Sequence, residues 1–173
     1  FLEMVEHRLD VFRMKQIRWL SRPSRFVKLN IDGCSKGNPG VSGGGGTFRN
    51  SEGNMIFAFS GHLGKCTSLQ AEAKALLIGL QLCVQRGFRE SLIVESDSLM
   101  LARILLKSYR CPWSISGEVE KIVQLARDGF QIVYCYRQAN KVTDVLSNVG
   151  YAYPYQLVFV YENIIGWPFI ARW

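Results

Sequence analysis

The chain of 173 residues, 48% of them hydrophobic, carries enough apolar material for one domain with a single sizeable core. Its formal charge of +7 and pI near 9.3 favour a polyanionic partner. No apolar run reaches the roughly 18 to 20 residues of a membrane span, and the opening FLEMVEHRLD lacks the charged-then-apolar order of a signal peptide. Cysteines 34, 66, 83, 111 and 135 form no C-x-x-C pair and have only His7 and His62 to join them, which argues against a zinc site or a disulfide framework. A soluble intracellular protein with reduced thiols, nuclear or cytoplasmic and not secreted, is the expectation. The start without Met is what a piece of a longer chain would show.

Residues 1–25 read as a basic linker or arm. Arg8, Arg13, Lys15, Arg18, Arg22 and Arg25 are scattered among apolar residues, and Leu9, Phe12 and Ile17 support at most a short amphipathic helix before Pro23. Such an arm would add sequence-independent affinity for phosphates. From Phe26 a regular pattern begins: Val27, Leu29 and Ile31 alternate with Lys28, Asn30 and Asp32, the period of a strand with one apolar face and Asp32 on the polar one. Asn38-Pro39-Gly40 predicts a tight turn, with positive φ allowed at Gly40. Gly43 to Gly46 lead into a second strand through Phe48, and Asn50 to Asn54 turn the chain into a third over 55–60.

Apolar residues at 69, 73, 76, 77, 80 and 84 repeat as a helix that buries one face, closed by Gly87. Glu72 lies near its start and close to the buried stripe. A charge there is costly unless something positive meets it, and the helix N-terminus or a metal would serve. Leu92-Ile93-Val94 predicts a short strand covered on both faces, followed by a helix from Asp97 or Ser98 to about Lys107. An acid at a strand's carboxyl end is where ligands of open α/β sheets gather, although Ser96 or Asp97 could equally cap the helix. After the break at Pro112, Ser114 or Ser116 caps a helix carrying Val119, Ile122, Val123 and Ala126, closed by Gly129. Residues 130–136 are strand-like. A last helix over 141–149 carries Val142, Val145, Leu146 and Val149 as its stripe and ends at Gly150. Asp144 lies off that stripe with no ion-pair partner one turn away, as an ordinary solvated acid would. Were Asp32, Glu72, Asp97 and Asp144 to converge, their hard oxygens would suit Mg²⁺ or Mn²⁺, and two such ions can clamp the attacking and leaving oxygens of a phosphodiester.

The order is three strands, helix, strand, two helices, strand, helix, an α/β fold with a mixed five-stranded sheet, three strands antiparallel and the rest parallel, flanked by helices. Asp32-Gly33 followed by Gly37-Asn38-Pro39-Gly40, Ala71-Glu72 on the first long helix, Glu95-Ser96-Asp97 after the fourth strand, and Arg137, Asn140 and Asp144 of RQANKVTDVLSNVG closely resemble the type 1 ribonuclease H fold. VKLNIDG, AEAKALLIGL and RQANKVTDVLSNVG look like its plant branch, associated with non-LTR retroelement polyproteins. The resemblance covers residues 26–150 and sets the domain bounds; 151–173 is an aromatic extension that could dock as a strand, be a remnant of element sequence, or have no packed structure.

The resemblance implies endonucleolytic cleavage of the RNA strand of an RNA–DNA hybrid, with two Mg²⁺ ions, or Mn²⁺ in their place, held by Asp32, Glu72, Asp97 and Asp144. Gly33, Cys34, Asn38, Thr67 and Ser68 fall at positions implied to contact the hybrid. A reverse transcriptase domain in the same polyprotein, a monomeric state and no membrane partner are further implications. Two departures point toward slower turnover. Tyr134 stands ten residues before Asp144, where the family carries a histidine for proton transfer or product release, and Ser68-Leu69 replace a polar pair that recognises substrate. The basic handle of some members is missing between Lys107 and Trp113, which leaves affinity to the N-terminal arm or to a neighbouring domain. A module that binds nucleic acid without cutting it is the alternative. An actin-like nucleotide-binding domain shares the strand topology but needs a second copy, for which this chain is too short. Gly64-Lys65 is no phosphate loop, since Phe59 and Cys66 stand where glycine and Ser or Thr are required, and Gly43 to Gly46 open no helix.

Overall fold

The computed structural model of the protein describes residues 27–88, 92–126, 130–155, 157–160 and 169–172. The basic arm and Gly129 lie outside them. In chain order the elements are β1 (Val27–Lys36), β2 (Gly40–Arg49), β3 (Met55–Cys66), α1 (Ser68–Gln85), β4 (Leu92–Ser96), α2 (Leu99–Leu105), a 3-10 turn (Trp113–Ile115), α3 (Ser116–Leu125), β5 (Gln131–Tyr134), a second 3-10 turn (Arg137–Ala139), α4 (Lys141–Ala152), β6 (Leu157–Val160) and β7 (Phe169–Arg172).

The strands form one sheet in the order β5-β4-β1-β2-β3-β6-β7. β1, β4 and β5 run parallel, whereas β2 and β3 are antiparallel neighbours. The expected five strands make up β1 to β5, and the extension adds β6 and β7 as antiparallel strands along the β3 edge. Leu29, Ile31, Phe48, Phe57 and Phe59 of the sheet build one core with Leu76 and Leu80 of α1, Leu101 of α2 and Ile122 of α3; α2 packs against β5 and α3 against α1. Helix α4 covers the other face.

That second helix corrects the reading of β1. Lys28, Asn30 and Asp32 alternate with the apolar residues as expected, yet each is only 4% exposed, because a central strand is covered on both sides. The polar groups are satisfied in pairs: Lys28 Nζ lies 2.8 Å from Glu95 Oε1, and Asn30 Nδ2 donates to Glu95 Oε2 at 2.9 Å. The polar face of β1 is thus an interior floor.

Glycines let the helices come this close. Gly43 to Gly46 lie inside β2, not ahead of it. A Cβ at Gly43 would sit 2.2 Å from the Ser147 carbonyl oxygen, and one at Gly45 2.6 Å from Leu146 Cβ. The stripe that α4 buries is accordingly Thr143, Ser147 and Gly150, while Val142 and Val145 are exposed, a reversal of the expected stripe. Small residues win here because they allow backbone-to-backbone approach. Gly150 does not end α4; it packs on Gly61, and the helix runs on to Ala152.

Local chemistry explains the remaining boundaries. Thr67 caps α1 through a capping box with Gln70, its Oγ1 accepting from Gln70 N and its own N–H donating to Gln70 Oε1. Gly87 follows α1 at φ +80°, as expected. In the first turn the positive φ values fall at Gly37 (+115°) and Asn38 (+29°), before the cis Asn38–Pro39 bond, and not at Gly40. Gly40 is required for space instead, since a Cβ would collide with the Lys36 carbonyl. Neither Ser114 nor Ser116 caps α3. Ile115 occupies that position, and Ser116 Oγ donates back to Trp113 O at 2.8 Å.

Candidate metal centre

Three elements bring one carboxylate each to a common point above the β1 floor. Asp32 comes from the middle of β1, Glu72 from the second turn of α1, and Asp97 from the carboxyl end of β4, and one oxygen of each lies within 4.8 Å of the others. Gly33 sets the Glu72 approach: a Cβ there would fall 2.4 Å from both Ala71 C and Glu72 N, so α1 rests directly on the strand backbone. Glu72 is too far along α1 for the helix terminus to neutralise it. The Gly33 backbone beside it favours the charged carboxylate only in part. Asp97 is freed for the cluster because Ser98 is the helix cap, accepting from Leu101 N, while Ser96 Oγ accepts from Ser98 N at 3.1 Å.

The cluster is electrostatically loaded. Burial, then repulsion from Asp32 and Asp97, holds the Glu72 carboxyl well above the usual range. Burial also raises Asp32, opposed by a hydrogen bond from Ser147. Asp97 is raised by burial as well, against the pull of the nearby Arg137 guanidinium. Glu72 Oε2 and Asp97 Oδ1 are buried oxygens with no hydrogen-bond donor. Hard carboxylate donors, two of them with buried lone pairs lacking a donor, and mutual repulsion fit a divalent cation, which would relieve all three penalties at once.

Asp144 does not join this group of three. It lies in the first turn of α4, 38% exposed, and Arg137 Nη2 reaches its Oδ1 at 3.2 Å. The partner that the helical spacing did not reveal comes from seven residues earlier in the chain, in the turn before α4. The attraction of Asp144, and of Asp32 and Asp97 further off, raises the Arg137 pKa.

The other sequence candidates surround the cluster. Cys34 Sγ donates to Ser147 O at 3.3 Å. Asn38 Oδ1 accepts from Ser68 N at 2.8 Å, tying the β1–β2 turn to the start of α1 where Thr67 is the cap. Tyr134 ends β5 opposite Ser96, is 40% exposed, and packs edge-on against Tyr136 with ring centroids 5.7 Å apart. Sequence reasoning gave no role to Ser147 or to the Arg137 side chain. Ser147 lies three residues after Asp144 on a small-residue face, a pattern that α4 shares with any close-packed helix.

Among the described residues no helix is long and apolar enough to cross a membrane. Residues 30–150 match the family described as reverse transcriptase-like. An Arabidopsis thaliana protein named as a ribonuclease H protein is 32% identical over 145 residues, covering 80% of this chain, which spans 22% of that protein's length. Among solved structures, ribonuclease H1 from Halobacterium salinarum superposes with a TM-score of 0.68 at 24% identity, over 72% of this chain and 96% of the other. LC11 ribonuclease H1 bound to an RNA/DNA hybrid gives 0.69 at 23% identity, over 73% and 96%. The N-terminal ribonuclease H domain of a Mycobacterium tuberculosis protein gives 0.69 at 23%, over 73% and 93%. The likeness is one of fold, an α/β sheet flanked by helices in the ribonuclease H arrangement.

Proposed function

The chain belongs to the reverse transcriptase-like family, and from that premise we propose that it hydrolyses the RNA strand of RNA–DNA hybrids endonucleolytically. The observation that carries the reading is the convergence of Asp32, Glu72 and Asp97 on one point, with two of their oxygens buried and lacking donors. In this reading these residues and Asp144 hold two divalent ions, Mg²⁺ or Mn²⁺. Bound there, such ions supply Lewis-acid stabilisation of phosphodiester oxygens and a more acidic water.

The chain's own residues do the positioning. The close approach of α1 to Gly33 places Glu72, Ser98 keeps the α2 cap away from Asp97, and α4 brings Asp144 to the rim, where Arg137 would exchange its carboxylate partner for substrate phosphate. The Asn38 turn and Ser68 at the start of α1, with Thr67, Gly33 and Cys34 beside them, form the surface assigned to hybrid contact, where 2′-hydroxyls distinguish RNA from DNA. Tyr134 occupies the proton-transfer position with a phenol where the family carries an imidazole, so turnover is slow. Residues 1–25 serve as the electrostatic arm, 26–150 as the nuclease domain, and 151–173 as an extension of it. The domain is assigned to the plant retroelement-associated branch, as a monomeric unit beside a reverse transcriptase domain.

Cleavage of a 5′-labelled RNA–DNA hybrid in Mg²⁺ and in Mn²⁺, with Asp97→Asn as control, tests the reading. Cuts confined to the RNA strand and abolished by Asp97→Asn support it. Hybrid binding without cleavage in either metal favours the second reading, a nucleic-acid-binding module that has lost catalysis. The ion pair that holds Asp144 outside the cluster is the observation on its side.

A further inference from the structure

Ser147 is fully buried on the face of α4 that lies over β1 and β2. A serine inside a helix usually returns its proton to a carbonyl of the preceding turn. Here that carbonyl, Asp144 O, is 2.9 Å from Ser147 Oγ, but Asp32 Oδ2 is nearer, at 2.5 Å. One hydroxyl has one proton to give. The shorter contact to a carboxylate is the stronger hydrogen bond, and Asp144 O does not depend on Ser147, because Asn148 Nδ2 donates to it at 2.7 Å. The backbone around Ser147 has little freedom to move. Cys34 Sγ donates to Ser147 O, and the helix backbone at Ser147 and its neighbours Leu146, Gly150 and Tyr151 fills the space left by the absent Cβ atoms of Gly43 and Gly45.

We infer that Ser147 is a positioning residue for the metal centre: its hydroxyl fixes the rotation of the Asp32 carboxylate and ties β1 to the helix that carries Asp144. The inference rests on the reading of the carboxylate cluster as a divalent-cation site. Without the hydroxyl, Asp32 turns freely and must be reordered each time an ion enters, so affinity falls while the ligand set stays complete. Groups that orient metal ligands in this way typically account for about 10- to 100-fold in affinity. The lower end applies here, because a single neutral donor is involved.

Titration calorimetry of Mn²⁺ on the whole chain tests this, with Ser147→Ala, Ser147→Cys, Thr143→Ala and Asp97→Asn compared with the wild type. Thr143 is the control for packing. Its buried hydroxyl lies on the same helix face but donates to Asn140 O at 2.7 Å. The expected result is a loss of roughly tenfold in Mn²⁺ affinity for Ser147→Ala, a smaller loss for Ser147→Cys, which keeps the volume but donates weakly, wild-type affinity for Thr143→Ala, and no binding for Asp97→Asn. In hybrid cleavage the Mn²⁺ concentration giving half-maximal rate rises by the same factor, while KM for the hybrid is unchanged. Wild-type affinity in both Ser147 variants overturns the inference, as does an equal loss in Thr143→Ala, which would mark a general softening of α4. Absence of Mn²⁺ binding to the wild type overturns the metal-centre reading and this inference with it, an outcome distinct from wild-type binding that only Asp97→Asn abolishes.

Discussion

Gly33→Ala places a methyl group where β1 and α1 touch. Its Cβ would lie 2.4 Å from Ala71 C and Glu72 N and 2.6 Å from Ala71 O, about 1 Å short of ordinary contact. All three obstacles are backbone, so no side chain can rotate away; either α1 slides outward or β1 bends. Overpacking of this kind costs about 1–3 kcal/mol. The displaced segment is the one that carries Glu72, and the neighbouring strand residue is Asp32, so the distance between the two carboxylates changes with the packing. A misplacement of about 1 Å can cost on the order of 100-fold in rate. Urea unfolding of the metal-free protein measures the first effect, and hybrid cleavage at saturating Mn²⁺ the second. Gly44→Ala is the comparison, because its Cβ would meet Ala75 Cβ at 2.9 Å and the movable end of Leu63 at 3.0 Å, a milder clash away from the carboxylates. Wild-type stability and rate in Gly33→Ala, or an equal loss of rate in both variants, would refute the claim that this glycine sets the spacing of the cluster.

Gly117 in α3 has nothing within 4 Å of a prospective Cβ, so Gly117→Ala should stabilise the protein by about 0.5 kcal/mol through reduced unfolded-state entropy, read from the urea midpoint. The pH dependence of the metal-free protein follows from the raised carboxyls. A carboxyl whose folded pKa lies above its unfolded value binds more protons in the folded state, so stability falls as pH rises from the ordinary carboxylate range through the raised pKa values of Asp32, Glu72 and Asp97. Melting of the metal-free chain should therefore move to lower temperature between mildly acidic and neutral pH, by roughly 4 °C for each kcal/mol lost. Asp97→Asn should shallow that slope, and a slope identical to wild type would count against the repulsion. Tyr134→His should raise hybrid turnover by roughly tenfold, below the ~10²–10⁴ that a fully aligned general acid or base contributes, with single-turnover rates as the measurement; no gain would remove Tyr134 from the account of slow turnover.

Periodicity and punctuation alone carried the element order. The two-residue alternation of β1, the helical repeat from Leu69 to Val84, the turn signalled by Asn38-Pro39 and the helix end at Gly87 are local, and local rules act on neighbours that the sequence displays. The acids Asp32, Glu72 and Asp97 were readable for the same reason, marked by the alternation of a strand, the early turns of a helix and the end of a strand respectively. Burial of Lys28, Asn30 and Asp32 was not readable, because an alternating strand looks the same whether its second face meets water or a helix, and only the packing of α4 decides between them. The glycines of β2 and the Thr143, Ser147 and Gly150 face of α4 specify one another across about a hundred residues of chain. Hydropathy assigned that face to Val142 and Val145, since it scores apolar surface and not closeness of approach. The Arg137–Asp144 pair, the Ser147–Asp32 hydrogen bond and the orphaned oxygens of Glu72 and Asp97 arise in the same way, where backbone segments distant in sequence come into contact. Sequence determined which carboxylates were available and on which elements; tertiary packing decided which of them meet, how far each is removed from water, and what holds it in place, because those quantities depend on distances that no local pattern encodes.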